Sequence, residues 1–508
     1  MTERPFSVSH LGALADHWPA HRPALIALDD TGQPTVWRYG ELRAQACRLG
    51  SALLARGLPP GAAVAILAAN SADYVVALLG LARAGLVAVP LNIKFPAQTQ
   101  AEVLADSGAV LVLHDTAHCP PGALPAIAFG SSAWHALLAE GNPRLRPQPL
   151  AGLALLLYTS GSTGRPKGVR LSHAAQCWTV RTRLQDTPLD QERALIAAPL
   201  YHMNALALTQ LALASGATAI LLPRFEARAY LQAISTHRAT WLTAVPPMIA
   251  MLLREGEALA RADLSSVRVI RLGSAPVPDK LWRQIRSWLP RARVINAYGT
   301  TEGGPVVFGP HPQGLPTPPA SVGYPHPDVR LRLVPGPDDD ADTGLLELRS
   351  PGLMQGYHRR PDLPSPFTHD GYYRSGDVFR RDAQGFYTFV GRRDDMFVCG
   401  GENIYPAEVE RILEGHPSVQ QACVVPMSDD IKGAKPVAFV VARDGQAIDA
   451  AALQRHALAH APAYQHPRRV WVLAALPLNG THKIDRAALA REAARRLAPP
   501  SLTATASS

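Results

Sequence analysis

No two cysteines of this 508-residue chain stand in a C-x-x-C spacing, and the five present (Cys47, Cys119, Cys177, Cys399 and Cys423) leave an odd count. This excludes a disulfide framework and a zinc ribbon, and it points to reduced thiols in a cytoplasmic protein. Long apolar runs are missing too. The longest candidate, Ala205–Pro223, is broken by Thr209, Gln210, Ser215 and Gly216, so it reads as a helix, a glycine turn and a strand. No stable membrane insertion is expected from it. The first residues, MTERPFSVSHLGALADHW, hold no apolar segment behind a basic start, which argues against a signal peptide. The net charge is +9, yet there is no Lys/Arg block and no aromatic interleaving. No nucleic-acid partner is therefore expected, whereas a small polyanion would use the same positive field.

What is present is ordinary enzyme composition, 47% hydrophobic and 18% charged, in a chain too long for one core. Short apolar runs (Val64–Leu67, Val87–Leu91, Leu195–Ala198, Ala219–Leu222, Trp241–Val245, Val267–Leu272, Val294–Ala297) alternate with helical stretches such as Pro96–Ser107, Ala227–His237 and Lys280–Leu289. That rhythm predicts an α/β fold around a mostly parallel sheet. From about Pro325 to Val390 the pattern changes to short strands between Gly, Pro and Asp turns, an antiparallel patch. Past Arg392 a smaller α+β unit begins, with helices over Pro406–Leu413 and Asp449–Leu458 and strands over Val419–Val425 and Val437–Val441.

The most informative segment is Leu155–Val169, LLLYTSGSTGRPKGV. An apolar strand empties into a loop in which Thr159, Ser160, Ser162 and Thr163 supply donors, Gly161 and Gly164 allow close backbone approach, and Lys167 brings a mobile cation. Such a loop suits a phosphate; the plainer reading is a polar surface loop. It is not the P-loop of common ATPases. Pro166 and Gly168 flank Lys167, so the second glycine and the metal-binding hydroxyl of G-x-x-x-x-G-K-[ST] are absent.

YTSGSTGRPKGV resembles the signature loop of the adenylate-forming superfamily: acyl-CoA synthetases, peptide-synthetase adenylation domains and beetle luciferases. Further segments resemble that family in order. In Ala297–Glu302, AYGTTE, the resemblance gives Tyr298 and Gly299 to adenine, with Ala297 and Thr300 beside them. Thr301 is given to phosphate and Glu302 to Mg²⁺; Asn296 would meet the adenine amine. Gly273, Ser274 and Ala275 (in GSAP) would wall the adenine and acyl pocket. Asp377 in YRSGD would hold the ribose, with Arg392 near it, and Asp394 in GRRDD would be the hinge. Lys483 in LPLNGTHKIDRAAL would be the catalytic lysine, although His482 stands where the family usually has Gly. This implies a large N-terminal domain over residues 1–391 with an antiparallel β subdomain, a hinge at 392–394, a small C-terminal domain over 395–497, and a disordered tail at 498–508.

No carrier-protein domain is expected after the last unit, and CGGENIYP (399–406) resembles acyl- and aroyl-CoA ligases. By that resemblance Gly400 and Gly401 line a pantetheine tunnel, while Lys94, Tyr464, His466 and Arg468 contact coenzyme A; Gln465 departs from the usual Lys. The implied activity is ATP-dependent ligation of a carboxylic acid to CoA through an acyl-adenylate, with ATP, Mg²⁺ and CoA required. Lys167, Thr301, Glu302, His202 and Lys483 serve catalysis. His202, Met203, Asn204, Thr243, Gly273 and Gly299 shape the acyl pocket. Pro199–Leu208, Leu242–Met248, Gly273–Pro276 and Ala297–Phe308 contain no Lys or Arg, so a monocarboxylic acid with an apolar tail, aromatic or aliphatic, is expected. A free-standing enzyme that loads a carrier protein stays open, as do a luciferase-like oxygenase, a non-catalytic ATP-binding protein and assembly as a homodimer.

Overall fold

The computed structural model describes residues 8–148, 152–159, 166–273, 277, 279–336, 340–399, 402–429, 433–479 and 483–497. The expected tail at 498–508 lies outside them. The alternating runs build two parallel-type sheets rather than one. The first has seven strands in the order Arg293–Asn296, Val269–Leu272, Trp241–Ala244, Arg193–Ile196, Thr218–Leu221, Pro23–Leu28 and Pro34–Arg38. Neighbours pair in parallel except the last two, which form an antiparallel hairpin. The second has six strands in the order Ala126–Ala128, Ala109–His114, Ala63–Leu67, Val87–Pro90, Leu153–Thr159 and Lys167–Ser172, again parallel until the final pair.

The helix Met203–Ser215 explains how two sheets share one core. Its sequence is apolar on every side, and a helix of that kind belongs in the interior. Leu206, Leu211 and Leu213 join one cluster with Leu25, Ile196 and Ala219 of the first sheet and Val64, Ile66 and Leu155 of the second. The helix stops at Gly216, where φ is +74° and a Cβ would lie 2.6 Å from the Trp18 ring. Only glycine satisfies both conditions. The strand Thr218–Leu221 follows directly, so Ala205–Pro223 is helix, glycine turn and strand as its breaks predict. No helix among the described residues is long and apolar enough to cross a membrane.

The antiparallel patch is a six-stranded sheet in the order Phe308–Gly309, Ser321–Pro325, Tyr387–Arg392, Tyr373–Arg381, Thr343–Arg349 and Arg330–Val334. Its register sets Asp377 opposite Arg392. The smaller unit carries the strands Glu402–Ile404, Phe397–Cys399, Gly433–Ala442, Val419–Asp429 and Val470–Leu473. Helices Pro406–Glu414 and Ala450–His460 cover one face through Val409, Leu413, Leu453 and Ala457. Helix Arg486–Leu497 covers the other through Leu489 and Ala493. This unit rests on the larger one: Tyr405 packs on Val378 and Val390, and the Arg254 Nε donates to Gln420 Oε1 at 3.1 Å. All five cysteines are free thiols.

Candidate active site

Thr159 and Lys167 are register partners at the end of two antiparallel strands. Lys167 opens a strand rather than a helix, which agrees with rejecting a P-loop. Ser160, Gly161, Ser162, Thr163 and Gly164 lie outside the described residues. The Lys167 Nζ stands 5.4 Å from the centroid of the Tyr357 ring, and the Tyr357 hydroxyl donates to Glu302 Oε1 at 3.3 Å. Tyr357 is thus a link between the loop lysine and the acid that sequence reasoning did not name. A β-bridge from Val169 holds it there, and nothing in MQGYHRR marks it by spacing.

Asp377 is only 3% exposed and sits among groups brought from three segments. Its Oδ2 accepts from the Tyr298 hydroxyl at 2.5 Å and its Oδ1 from Arg392 Nη1 at 2.9 Å. Arg392 also donates to Asp394 Oδ2 at 3.2 Å, which ties the predicted ribose and hinge residues through one guanidinium. Burial pushes the Asp377 carboxyl above the usual range, while Arg392, Tyr298 and Lys483 pull it back. Glu302 is raised for the same first reason; Tyr357 and Arg392 oppose the shift and Asp377 adds to it.

Lys483 comes from the small unit. Its backbone is held by contacts with the preceding segment: Leu478 bridges Ile484, Asn479 N–H donates to the Lys483 carbonyl at 2.7 Å, and Lys483 N–H donates to Asn479 Oδ1 at 3.1 Å. His482 lies outside the described residues. The Lys483 side chain keeps accessible surface, as one in an open cleft does, yet protein surrounds it closely. This crowding lowers the ammonium from the ordinary lysine range; Asp377 and Glu302 favour its charge and Arg392 opposes it. Two carboxylates of the large unit and one lysine of the small unit therefore feel one another across a single cleft.

Around Tyr298 the backbone is tight. Its ring meets Phe379 edge-on at 4.9 Å and Phe308 at 5.9 Å. A Cβ on Gly299 would lie 2.8 Å from the Gly304 carbonyl oxygen, so no side chain fits. Asn296 Nδ2 donates to the Ser321 carbonyl at 3.2 Å, which fixes its Oδ1 as the acceptor end of the amide. The Ala297 N–H donates to the Leu272 carbonyl, and the Ala297 carbonyl lies 3.3 Å from where a Gly273 Cβ would be. The Thr300 hydroxyl accepts from Gly303 N–H at 2.7 Å, so it serves the turn, and its neighbour Thr301 is half-buried beside it. Ser274 and Ala275 lie outside the described residues.

His202 precedes the central helix and meets the Tyr201 ring at 4.6 Å; Met203 and Asn204 form the first turn. Asn204 and Thr243 line a small pocket whose walls also include Leu208, Pro305, Arg183 and Arg271. Met203 is buried outside this lining. The two arginines correct the expectation of a pocket without cationic side chains. That expectation came from four segments, and both residues lie outside them. Arg183 comes from the helix His173–Asp186, and Arg271 from the strand Val269–Leu272, two residues ahead of Gly273.

The coenzyme A candidates are divided between the units. In the small unit, Arg468 Nη1 donates to His466 Nε2 at 3.1 Å, and His466 Nδ1 donates to the Ala463 carbonyl at 3.1 Å; Tyr464 packs against the strand and helix core. Lys94 is exposed in the turn after Val87–Pro90, where partial burial lowers its ammonium. Gly400 and Gly401 lie outside the described residues. No cluster of three His, Cys, Asp or Glu ligands exists among the described residues.

Comparison with known proteins agrees with this geometry. The model of the AMP-binding enzyme family matches residues 14–358, and that of the AMP-binding enzyme C-terminal domain matches 408–483. The chain is 36% identical to a feruloyl-CoA synthase of Amycolatopsis sp over 481 residues, covering 92% of this chain and 96% of the relative. It is 34% identical to a sulfoacetate–CoA ligase of Cupriavidus necator over 513 residues, covering 94% and 96%. The crystal structure of ATP-bound MatB from Rhodopseudomonas palustris superposes with a TM-score of 0.84 at 27% identity, covering 96% of this chain and 99% of that one. The chain belongs to the AMP-binding enzyme family, in the acyl-CoA synthetase branch of the adenylate-forming superfamily that its motifs resemble.

Proposed function

We propose that this enzyme ligates a carboxylic acid to coenzyme A in two steps, using ATP. In the first step a carboxylate oxygen attacks the α-phosphorus, pyrophosphate leaves, and an acyl-adenylate forms. In the second the CoA sulfur attacks the mixed anhydride and AMP leaves. The observation that carries this reading is the placement of Lys483 within electrostatic reach of Asp377 and Glu302, from a separate unit of the chain. Two anions must meet in the first step, and fixed cations lower that barrier. Lys483 and Lys167 supply them, and Thr301 adds a hydroxyl. Tyr298, Asn296 and Gly299 seat the base, Asp377 with Arg392 the ribose, and His202 stands at the acyl end.

Glu302 fits a Mg²⁺ ligand: it is a half-buried carboxylate that forms no ion pair among the described residues. Mg²⁺ commonly takes one or two carboxylates and completes its shell with phosphate oxygens and water. When bound, it would neutralise phosphate charge; Tyr357 holds the Glu302 carboxylate in place for it.

The second step needs the small unit to turn, and we assign the division as residues 1–391, a hinge at 392–394 and residues 395–497. Arg392, which bonds to both Asp377 and Asp394, stands at that junction. The two curated relatives carry names for CoA ligation of very different acids. They support the reaction and leave the acid to the pocket. The test is a panel of carboxylic acids assayed for AMP and pyrophosphate release with and without CoA. Acid-dependent pyrophosphate exchange together with CoA-dependent thioester formation is expected. Release of AMP only when a carrier protein replaces CoA would overturn the acceptor assignment.

A further inference from the structure

We propose that the acid this enzyme activates carries a second anionic group, a carboxylate or sulfonate distal to the reacting one, held between Arg183 and Arg271. The inference rests on the ligase reading and names the substrate class for that site. Arg271 donates to Asn204 Oδ1 at 3.3 Å, a neutral partner. Among the described residues neither guanidinium forms an ion pair. Arg183 feels Asp186, but that carboxylate is engaged by His326 Nε2 at 3.0 Å. The two arginines also repel each other. Like charges brought together in a buried wall, without a carboxylate between them, are costly unless a ligand supplies the counter-charge.

Burial pushes Arg271 down to about 9 and Arg183 down to about 10. A guanidinium still does not give up its proton near neutral pH. The pair therefore stays cationic and calls for an oxyanion, which the planar fork can bind through two parallel hydrogen bonds. The nucleotide does not fill this role. Its cleft has its own cations in Arg392 and Lys483.

The position suits an acyl tail instead. A Gly273 Cβ would lie 4.0 Å from Arg271 Nη1, so the guanidinium stands against the turn that borders the reacting end. Asn204 and Thr243 add polar atoms to the same wall.

The test pairs aliphatic and aromatic acids bearing a distal carboxylate or sulfonate with isosteres in which that group is a methyl or an amide. Each acid is assayed with the full-length enzyme, ATP, Mg²⁺ and CoA for pyrophosphate release and thioester. The wild type should favour the distal anion by at least about 10-fold in kcat/KM, the scale of one charged hydrogen bond. Arg271→Gln should collapse that ratio, chiefly through the KM of the acid, while the KM of ATP stays within about twofold. Arg183→Gln should do the same and guards against misfolding of a single variant. Equal or better use of the neutral isostere by the wild type overturns the inference and leaves the ligase reading intact. So does an equal loss on both acids in both variants. An enzyme that binds ATP but releases no pyrophosphate with any acid overturns both.

Discussion

Replacing Lys483 with Ala should separate the two half-reactions. In the folded protein this ammonium stands in the field of Asp377 and Glu302, and Asn479 fixes the Lys483 backbone. Truncation should therefore cost little stability, within about 0.5 kcal/mol for a side chain that keeps solvent contact. Its effect belongs to the step in which negative charge gathers at the α-phosphorus. Losing one preorganised charge-stabilising donor costs about 2.7–4 kcal/mol, or a factor of about 10²–10³. Acid-dependent ATP–pyrophosphate exchange should fall by that factor, while thioester formation from synthetic acyl-adenylate and CoA stays within about threefold. The pH profile adds a second readout. Burial lowers the pKa of Lys483, so the charged form is full below that value and is lost as pH rises through it. The alkaline limb of kcat/KM for adenylation should lie below the ordinary lysine value of about 10.4, and it should vanish in Lys483→Ala. An equal fall in both half-reactions, or an unchanged exchange rate, would refute the role.

Much of this site was legible before any coordinates because its chemistry is local in sequence. Tyr298, Gly299 and Glu302 lie within one turn, and Asp377 lies mid-strand opposite Arg392, the last residue of the neighbouring strand. What stayed hidden depends on contacts between segments. Tyr357 reaches Glu302 only because a β-bridge carries it beside Val169. Arg183 belongs to a helix that sequence reading did not single out and Arg271 to a strand it assigned to the parallel sheet; the buried helix Met203–Ser215 brings Asn204 to the wall they share. The acyl pocket was therefore expected to be uncharged, from segments that are uncharged. The fold shows a similar division. Helix and strand boundaries such as Ala227–His237 follow from periodicity and agree with the observed helix. The splitting of the strands into two sheets does not, because periodicity says that a strand is buried and not which strand lies beside it.

Two further perturbations reach other parts of the molecule. Asp377→Asn keeps an acceptor for Tyr298 but removes the charge that Arg392 grips; one lost charged hydrogen bond, about 1.5–3 kcal/mol, should lower kcat/KM for ATP by about 10- to 150-fold, and a change under about threefold would contradict the ribose assignment. Glu414 tests the small unit's core. It is 8% exposed, its Oε1 accepts from Ala422 N–H at 3.0 Å, and burial pushes it up to about 8. The nearby cation cannot relieve it, because Arg486 is spent on Glu410 in a two-pronged pair, with Nη2 to Oε2 at 2.7 Å. A carboxyl raised in the folded state contributes stability that is full below its unfolded pKa of about 4.3 and is lost as pH rises through 8. Glu414→Gln keeps a neutral acceptor and cannot ionise. Its melting temperature should exceed that of the wild type at pH 9, with the gap closing as pH falls toward 5. A gap that does not change with pH would mean that Glu414 stays ionised in place, and the cost assigned to its burial would then be wrong.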